Sequence, residues 1–452
     1  MQPYLPSPLE IVRLAPGDQS IGFDCRAAID WDSFRVTVHT LDGSLVRTLL
    51  TDQERVTISG LANGTNYLLC LTAQRAGRVV AEAPRRLFCP GRFPGTVVNY
   101  IHPDDHIYMP SGRSPASPSL LRLPSGRLLA SHDVFWGECD QNLSFVFASD
   151  DEGVTWRLLS HLQPCFWGKL FYHRGAVYML AMSAEYGALL LYRSDDGRTW
   201  SEPVELLPGG DRLRGGPHKA PMPVIACRGS LWTAIDHGSW TRGGHANGLI
   251  SVPVDADLMD PSQWRCTGFL PYDPSWPGAS RGQSTGCLEG NAVVAPDGRL
   301  FNLLRYQTNN CEPDYGRAVL LEADPDRPSE PLRFAAVVDF PGNLSKFSVG
   351  YDPQSSLYLA LVSRVTGSNL RQRNILSLSV SPDLFHWQIR RDILNYEDNG
   401  WPEGSDKVGF QYADWIIDGA DLLVLSRTAL NGAYNFHNAN ALTFHCIRNF
   451  RR

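Results

Sequence analysis

The sequence predicts an all-β protein in which a β-sandwich precedes a six-bladed β-propeller. Three observations lead to this fold class. Short stretches in which apolar and polar residues alternate fill residues 1–95, a turn followed by an apolar strand recurs six times after them, and no long segment has the apolar period of a helix. The 40 glycines and 32 prolines supply the many turns that such a chain needs.

The N-terminal part is expected to be the sandwich, because turn signals separate its strand-like segments about every ten residues. Examples are FRVTVHTLDG, RVTISGL and NYLLCLTAQRAG. The segment VTISGLANGTNYLLCLTAQRAGRVV resembles the fibronectin type III pattern, with Leu61 as its core leucine and Tyr67 as its corner tyrosine. Since the following CPGRFPG (Cys89–Gly95) is typical of a linker, we expect the sandwich at 1–95 and the propeller at 96–452.

The propeller prediction depends on the repeated turn and strand. The six copies are PSGRLLAS at Gly126, HRGAVYMLA at Gly175, CRGSLWTA at Gly229, PDGRLFNLL at Gly298, PQSSLYLALVS near Ser355 and DGADLLVLS at Gly419. Their spacing of about fifty to seventy residues is that of four-stranded blades with insertions. Six copies therefore predict six blades.

A second repeat ends in tryptophan. Its copies are SDDEGVTW (Ser149–Trp156), SDDGRTW (Ser194–Trp200) and SPDLFHW (Ser381–Trp387). They resemble the Asp-box of sialidases and related propellers, in which the aspartate caps turn N–H groups and the tryptophan packs between blade strands. The resemblance implies a structural role, in stabilising hairpins, for Asp151, Asp196 and Asp383.

The resemblance to sialidases extends to three further motifs. The stretch CLEGNAVVAPDGRLFNLLR has a glutamate, a strand, a DG turn, a second strand and an arginine sixteen residues after the glutamate, which are Glu289 and Arg305. RQRNILSLSV supplies an arginine, Arg373, before a strand of the fifth blade, and QYADW supplies Tyr412 at the start of the last blade. These motifs follow the family's order over most of residues 110–452, so the chain is identified by resemblance as a sialidase-superfamily propeller.

The family's chemistry implies a role for each matched residue. Tyr412 is expected to be the nucleophile, and because the unperturbed pKa of a phenol is about 10, it needs a base, which Glu289 would be. Arg305 and Arg373 are expected to bind the substrate carboxylate. The predicted function is thus an exo-acting glycosidase that removes a terminal acidic sugar, of the sialic or uronic acid type, from a glycan by a retaining Tyr/Glu mechanism.

The chain also departs from the family pattern. In SPASPSLLRLPSG, Ala116 occupies the position of the family's first substrate-binding arginine, and Arg113 is a candidate to replace that arginine. The family's acid/base aspartate follows the LLA strand, where LLASHDVFWGECDQN offers Asp140, with Glu138 and Asp133 as competitors. The missing arginine allows a uronic acid or a related acidic sugar as substrate instead of sialic acid.

Two histidines suggest other functions for the same pocket. His132 in SHD, and His218 with Lys219 in GGPHKAPMPV, are expected near the pocket, where a histidine can act as a base. One alternative is therefore a polysaccharide lyase or rhamnose-glucuronate-cleaving enzyme, with His132 or Tyr412 as the base. Another alternative is a glycan-binding propeller without catalysis.

Composition excludes several other classes. A formal net charge of -6, without any run of lysines and arginines, argues against a nucleic-acid partner, and no window of about 18 apolar residues predicts a membrane span. The ten cysteines include no C-x-x-C pair and no H-E-x-x-H motif occurs, so we expect no metal and no cofactor. The N-terminus has no secretory signal, which predicts a cytoplasmic protein, or a secreted or periplasmic one if a cleaved leader precedes it. The sequence predicts no oligomeric state.

Overall fold

The computed structural model describes residues 6–109, 111–136, 140–397 and 403–452. Its sheets form a sandwich followed by a ring of six blades, which confirms the predicted fold class. The single-turn 3₁₀ helices Trp240–Arg242 and Pro261–Gln263 lie between strands of the third blade. Within the described ranges no helix has the length and apolar character needed to cross a membrane.

The sandwich is built from eight short strands. They are β1 (Leu9–Gly17), β2 (Ser20–Ala27), β3 (Ser33–Thr40), β4 (Leu45–Thr51), β5 (Arg55–Ser59), β6 (Tyr67–Arg75), β7 (Arg78–Glu82) and β8 (Arg86–Phe88). One sheet has the order β1-β2-β5 and the other the order β4-β3-β6-β7, with β8 beside β6. Since side chains alternate along a strand, one side of each sheet faces the shared core, in which Phe23, Phe34 and Leu71 are fully buried.

Tyr67 ties the start of β6 to the chain before it. Its hydroxyl oxygen accepts a hydrogen bond of 3.1 Å from the Ala62 N–H, and its ring stacks on Phe88 at 5.6 Å. Leu61 is buried in the same core. Both residues of the predicted pattern therefore contribute to packing inside the sandwich.

The propeller strands follow in chain order. They are β9 (Thr96–Tyr100), β10 (Gly112–Arg122), β11 (Leu128–Trp136), β12 (Ser144–Ser149), β13 (Arg157–Leu162), β14 (Phe166–His173), β15 (Ala176–Met182), β16 (Leu189–Ser194), β17 (Val204–Leu207), β18 (Gly216–His218), β19 (Ile225–Cys227), β20 (Ser230–Ser239), β21 (Gly244–Pro253), β22 (Arg265–Cys266), β23 (Arg281–Gly282), β24 (Cys287–Val294), β25 (Leu300–Tyr306), β26 (Cys311–Glu312), β27 (Arg317–Ala323), β28 (Arg333–Asp339), β29 (Ser348–Asp352), β30 (Leu357–Ser363), β31 (Ile375–Ser381), β32 (Gln388–Asn395), β33 (Gly409–Asp418), β34 (Asp421–Ala429) and β35 (Ala441–Ile447).

These strands form six antiparallel blades. Blades 1 and 2 are β10–β13 and β14–β17, and blade 3 is β18–β22, in which β18 and β19 both pair with β20. Blade 4 is β24-β25-β27-β28, blade 5 is β29–β32, and β23 and β26 form a separate two-stranded ribbon. Blade 6 is β33-β34-β35 with β9 as its outermost strand. Because β9 precedes blade 1 in the chain, its pairing with β35 closes the ring.

The six repeated turns of the sequence all join the two innermost strands of a blade. They lie before β11, β15, β20, β25, β30 and β34. Since neighbouring strands are antiparallel, these turns lie at one end of the propeller, and the beginnings of the innermost strands lie at the other.

The three turns that end in tryptophan share one geometry, and they lie at the same end as the repeated turns. In each turn the aspartate accepts hydrogen bonds of 2.8–3.1 Å from backbone N–H groups two to four positions further on. The tryptophan indole N–H donates to a carbonyl of its own turn at 2.8–3.1 Å. Asp151, Asp196 and Asp383 therefore stabilise hairpins, away from the end at which the innermost strands begin.

Buried arginines join the sandwich to the propeller. Arg86 of β8 donates to the Asp105 carboxylate at 2.6 Å and to the Ile11 carbonyl at 2.8 Å. Arg13 of β1 donates to the carbonyls of Val98 and Val97 at 2.7 and 3.0 Å. Charged side chains are buried in folded proteins only with such partners, so these contacts fix the sandwich against β9 and the segment that follows it.

Candidate active site

Four innermost strands are bulged at the same height, near their beginnings. Ser117, Trp167, Glu289 and Tyr412 have left-handed backbones there, with φ values of 53°, 53°, 53° and 55°. At each of them the pairing with the second strand of the blade shifts register. A non-glycine residue in this conformation costs on the order of 1 kcal/mol or more, and such strain clusters at functional sites. The bulges mark this end of the propeller as the candidate site.

One arginine joins the glutamate and the tyrosine that the sequence singles out. Arg305 Nη1 donates to Glu289 Oε2 at 2.7 Å and to Tyr412 Oη at 3.1 Å. Glu289 and Arg305 come from the two innermost strands of blade 4, and Tyr412 comes from blade 6. Residues more than a hundred positions apart thus meet at the propeller axis.

The Glu289 carboxylate is buried and ionised. Burial by itself would raise the pKa of this carboxyl, but the charge and the hydrogen bond of Arg305 outweigh burial and hold the pKa below its ordinary value. Its backbone N–H donates to Asp236 Oδ2 at 2.8 Å, which fixes the strained residue in place. Glu289 is therefore available as a proton acceptor at neutral pH.

Two further arginines flank the Tyr412 ring. The guanidinium carbons of Arg373 and Arg427 lie 5.5 and 5.2 Å from the ring centroid. Arg373 donates to the Gln411 amide oxygen, and Arg427 donates to the His437 carbonyl. Burial lowers the pKa of Arg373 to about 10, which leaves it charged at neutral pH. Positive charge therefore surrounds the phenol on three sides.

Sequence reasoning missed Arg427, although a signal for it exists. Arg427 lies in β34, the second strand of blade 6, and Arg305 lies in β25, the second strand of blade 4. The two arginines follow the turn glycines Gly419 and Gly298 at nearly the same distance in the sequence. Comparing the repeats with each other would have identified Arg427 as a second arginine at the same level of the propeller.

Arg427 reaches from blade 6 over blade 1. Its guanidinium carbon lies 4.9 Å from the Phe135 ring centroid, and its charge interacts with that of Asp133. Asp133 pairs with Ala116 in the ladder between β10 and β11. Arg113, the sequence-based candidate to replace the missing arginine, instead stacks on Trp136 at 4.0 Å. Arg427 thus places a guanidinium group beside Asp133, next to position 116, where the resemblance predicts an arginine and this protein has Ala116.

A cavity of about 260 Å³ opens beside these arginines. Its lining carries three arginines, and consists of Arg305, Gln307, Asn309, Leu344, Arg371, Arg373, Phe436 and His437. Such a small, cationic cavity suits one anionic group of modest size.

The candidates for a proton donor lie in different environments. Asp133 is buried in the site wall, where Oδ2 accepts the Trp167 N–H at 2.9 Å, and burial raises the pKa of its carboxyl to about 6. Asp140, which the sequence favours for this role, is exposed, and Glu138 lies outside the described residues. A buried carboxyl with a raised pKa fits a proton donor better than an exposed one, so the geometry favours Asp133 over Asp140.

His132 has a structural environment, in contrast to the role that the sequence suggests. It is buried, with Nε2 3.0 Å from the Asn99 amide and Nδ1 2.9 Å from the Asp133 carbonyl. Its ring stacks on Phe147 at 5.5 Å, and burial lowers its pKa to about 4. Since both ring nitrogens have partners within the protein, His132 is not placed to act as a base on a substrate.

His218 lies beside Glu289, as expected for a pocket residue. Its Nδ1 is 3.3 Å from Asp236 Oδ2, the same oxygen that binds the Glu289 N–H. Its ring meets the edge of Trp167 at 4.5 Å. His218 therefore belongs to the site, on the side of blades 2 and 3.

Lys219 lies in a layer of buried lysines next to the site. Its ammonium donates to the Ala220 carbonyl at 2.8 Å, while Lys169 pairs with Asp414 at 2.5 Å. Lys346 donates to the Ala413 carbonyl at 3.2 Å. Burial and the charges of Lys169 and Lys346 lower the pKa of Lys219 to about 7. Lys219 is thus a buried neighbour of the site and does not line the cavity.

Among the described residues, no group of three or more histidine, cysteine, aspartate or glutamate side chains is arranged to hold a metal ion. The ionisable groups that the site brings together are the phenol of Tyr412, the carboxyls of Glu289 and Asp133, and the guanidinium groups of Arg305, Arg373 and Arg427.

Comparison with known proteins shows similarity in fold. No protein-family model and no curated protein matches the sequence. The GH93 alpha-L-arabinofuranosidase of Fusarium graminearum, in complex with arabinobiose, has a TM-score of 0.52 at 12% identity, over 79% of this chain and 98% of that chain. The alpha-L-arabinanase of Penicillium chrysogenum, also complexed with arabinobiose, has a TM-score of 0.51 at 15% identity, over 79% of this chain and 99% of that chain.

A sialidase shares the fold over almost the whole length of this protein. The NanB sialidase from Streptococcus pneumoniae has a TM-score of 0.50 at 10% identity, over 97% of this chain and 92% of that chain. At such identities the likeness establishes the β-propeller architecture, and since one fold hosts many reactions, the reaction has to be argued from the site.

Proposed function

We propose that the protein is an exo-acting, retaining glycoside hydrolase that removes a terminal acidic sugar, of the sialic or uronic acid type, from a glycan. The observation that supports this most is the contact of Arg305 Nη1 with both Glu289 Oε2 and Tyr412 Oη. A binding site needs the arginines, but it has no need of a carboxylate next to a phenol. The small size of the cavity supports attack at a chain end, because it has room for little more than one sugar.

The proposed reaction has two steps. In the first, Tyr412 Oη attacks the anomeric carbon while Glu289 takes the phenolic proton, and the bond to the leaving oxygen breaks as Asp133 protonates that oxygen. In the second, a water molecule gives a proton to Asp133 and attacks the anomeric carbon. The bond to Tyr412 breaks, and the phenol regains its proton from Glu289. Two displacements at one carbon retain its configuration.

The arginines would bind the acidic group of the substrate. Arg305 is paired with Glu289, whereas the described partners of Arg373 and Arg427 are neutral amide and carbonyl oxygens. Since neither of these two guanidinium groups donates to a carboxylate among the described residues, both can donate to a substrate carboxylate. In this proposal Arg427 supplies the carboxylate-binding guanidinium group that Ala116 cannot supply.

A panel of substrates tests the proposed function. The protein is incubated with aryl sialosides, aryl glucuronides and oligosaccharides that end in a uronic acid, including rhamnosyl-glucuronate oligosaccharides. We expect a released acidic sugar without a rise in near-ultraviolet absorbance. A rise would indicate the unsaturated product of a lyase, and binding without turnover would indicate a glycan-binding propeller. Either result would overturn the hydrolase proposal.

A comparison of two substrates that differ in their leaving group should reveal the role of Asp133. Replacing it by asparagine should lower kcat by about 10²- to 10⁴-fold for a poor leaving group such as a sugar, because general acid catalysis is lost. A nitrophenyl leaving group needs little protonation, so its hydrolysis should fall far less. Steady-state kinetics with both substrates measures the difference.

The pH profile gives an independent check on Asp133. Since the proton donor must be protonated and burial raises the pKa of Asp133 to about 6, the rate with a sugar leaving group should fall as the pH rises above about 6. This alkaline limb should disappear in Asp133→Asn. The exposed Asp140→Asn serves as the matched variant. Loss of the limb in Asp140→Asn instead would assign the donor to Asp140.

The role of Arg427 can be tested by removing this arginine from blade 6 and introducing one at position 116 in blade 1. Arg427→Gln should raise the KM for an acidic aryl glycoside by about 10- to 100-fold, since a charged hydrogen bond to the carboxylate is lost. Adding Ala116→Arg to this variant should restore part of the affinity, because position 116 pairs with Asp133, beside which Arg427 lies. The exposed Arg333→Gln is the control. An unchanged KM in Arg427→Gln would contradict the assignment.

Two structural assignments accompany the proposal. The sandwich is proposed to be fibronectin type III-like, because Tyr67 bonds back to the backbone at Ala62 in the manner of a tyrosine corner. The three tryptophan turns are proposed to be Asp-boxes, because their aspartates cap turn N–H groups in one shared geometry. Both assignments concern fold, and they leave the proposed chemistry unchanged.

A further inference from the structure

A fourth arginine, Arg371, lines the cavity of the site. It precedes strand β31 of blade 5 and is separated from Arg373 by one residue, Gln372. Gln372 is buried, and its amide nitrogen donates to Thr366 Oγ1 and to Asn374 Oδ1, each at 3.0 Å. The cavity is lined by the two arginines and not by the glutamine between them. One short segment therefore directs two guanidinium groups into the same cavity.

The guanidinium group of Arg371 is free to bind a ligand. In the described part of the chain its side chain makes no hydrogen bond and no ion pair, and its backbone N–H donates to Asn369 Oδ1 at 3.0 Å. Arg305 and Arg373, in contrast, donate to Glu289 and to a neighbouring amide oxygen. Arg371 is exposed, which places it at the mouth of the cavity. Its five N–H donors are available to an anion.

Blade 4 adds two amide groups to the same cavity. Gln307 and Asn309 follow strand β25 and both line the cavity. Gln307 Oε1 accepts a hydrogen bond of 3.2 Å from Arg305 Nε, which leaves the amide nitrogen of Gln307 as a donor. The cavity thus offers N–H donors from two blades. Several donors around one cationic group suit an oxyanion with three terminal oxygens, as in a sulfate or phosphate ester.

The arginines carry more positive charge than one carboxylate would neutralise. Arg305 is paired with Glu289 at 2.7 Å. Burial, together with the positive charges of Arg305 and Arg427, lowers the pKa of Arg373 to about 10, so like charges already repel each other here. The proposed carboxylate brings one negative charge to Arg373 and Arg427. Arg371 adds a further positive charge that has no counterpart among the described residues.

We infer that Arg371, with Gln307 and Asn309, forms a subsite for a second anionic substituent, a sulfate or phosphate ester, on the terminal acidic sugar; this inference rests on the proposed function. Arg373 and Arg427 bind the carboxylate, and the ester lies toward Arg371, because Arg371 lines the cavity and Arg427 does not. Since a cavity of about 260 Å³ has room for little more than one sugar, both anionic groups belong to the same ring. The substrate is then a terminal sugar with two anionic groups.

A binding measurement tests the subsite without any need for turnover. Titration calorimetry compares glucuronic acid and N-acetylneuraminic acid with the mono-O-sulfates and mono-O-phosphates of each. At least one ester should bind on the order of 10-fold more tightly than its parent sugar, because charged hydrogen bonds are added. The series with the larger gain identifies the ester as sulfate or phosphate. Parent sugars that bind as tightly as all of their esters would overturn the inference.

Substitution assigns the gain in affinity to one side chain. Arg371→Gln should reduce the ratio of the two dissociation constants, parent sugar over ester, to about one, and Arg371→Lys should keep part of the gain because it keeps the charge. Arg198→Gln is the matched control, since Arg198 is an exposed arginine in the second tryptophan turn, at the other end of the propeller. An unchanged ratio in Arg371→Gln would reject the subsite.

Kinetics separates this inference from the proposed function. The nitrophenyl glycosides of the parent sugar and of the preferred ester are compared, and the ratio of kcat/KM, ester over parent, should fall about 10-fold in Arg371→Gln. Tight binding of an ester through Arg371 without hydrolysis of either glycoside would retain the subsite and reject the hydrolase. Hydrolysis of the parent glycoside together with no preference for any ester would retain the hydrolase and reject the subsite.

Discussion

Replacing Tyr412 by phenylalanine should lower kcat by about 10³-fold or more while the protein stays folded, because the nucleophile is lost and the ring is kept. The phenolic oxygen has one described polar partner, Arg305 Nη1 at 3.1 Å. The cation–ring contacts with Arg373 and Arg427 do not need that oxygen, so they should persist in the variant. Steady-state kinetics on an acidic aryl glycoside measures the loss.

Mass spectrometry can locate the covalent intermediate. A fluorine atom beside the anomeric carbon slows reactions that pass through an oxocarbenium-like transition state, so a fluorinated acidic-sugar substrate should leave the sugar attached to the protein. The added mass should map to the peptide that contains Tyr412 and should be absent from Tyr412→Phe. Tyr351→Phe, on an exposed tyrosine of blade 5, is the control. A label on any other residue would reject Tyr412 as the nucleophile.

Replacing Glu289 by glutamine should abolish turnover while largely preserving ligand affinity. The loss of a general base is expected to cost about 10²- to 10⁴-fold in kcat. The amide oxygen of glutamine can still accept the hydrogen bond from Arg305, and the backbone bond to Asp236 does not involve the side chain, so the site should keep its shape. Kinetics and calorimetry with the released acidic sugar measure the two effects separately.

The outcome for Glu289 distinguishes an enzyme from a binding protein. Lost turnover with retained affinity is the result expected of a base. Glu312→Gln, at an exposed position in β26, should change neither quantity. Turnover that survives in Glu289→Gln would contradict the proposed mechanism, because Glu289 is the carboxylate that shares Arg305 with the phenol.

Much of the site could be predicted from short sequence motifs. Glu289 and Arg305 are sixteen positions apart in one hairpin, so the turn between them is enough to bring them to the same end of blade 4. Tyr412 and Arg373 were predicted from the resemblance of QYADW and RQRNILSLSV to sialidase motifs. In the structure Arg305 contacts both Glu289 and Tyr412, and Arg373 lies over the Tyr412 ring.

Residues that act across blades were harder to predict. Arg427 was missed because its contact with Phe135 crosses between blades 6 and 1, which are far apart in the sequence. The sequence predicts His132 near the pocket, but side chains alternate between the two faces of a strand, and the His132 ring lies against Phe145 and Phe147. Asp133, the next residue, points to the other side and joins the site wall.

The sequence by itself determined the class of fold, the number of blades and the residue types available for chemistry. Turn glycines, alternating strands and tryptophan repeats are local signals, and each acts within a single hairpin. The tertiary structure alone decided which groups meet at the axis, which of them are buried, and how burial and the charge of Arg305 shift the pKa of Asp133 and Glu289. The physical reason is that ring closure by β9 and β35 brings six distant strands to one axis, and desolvation depends on that assembly.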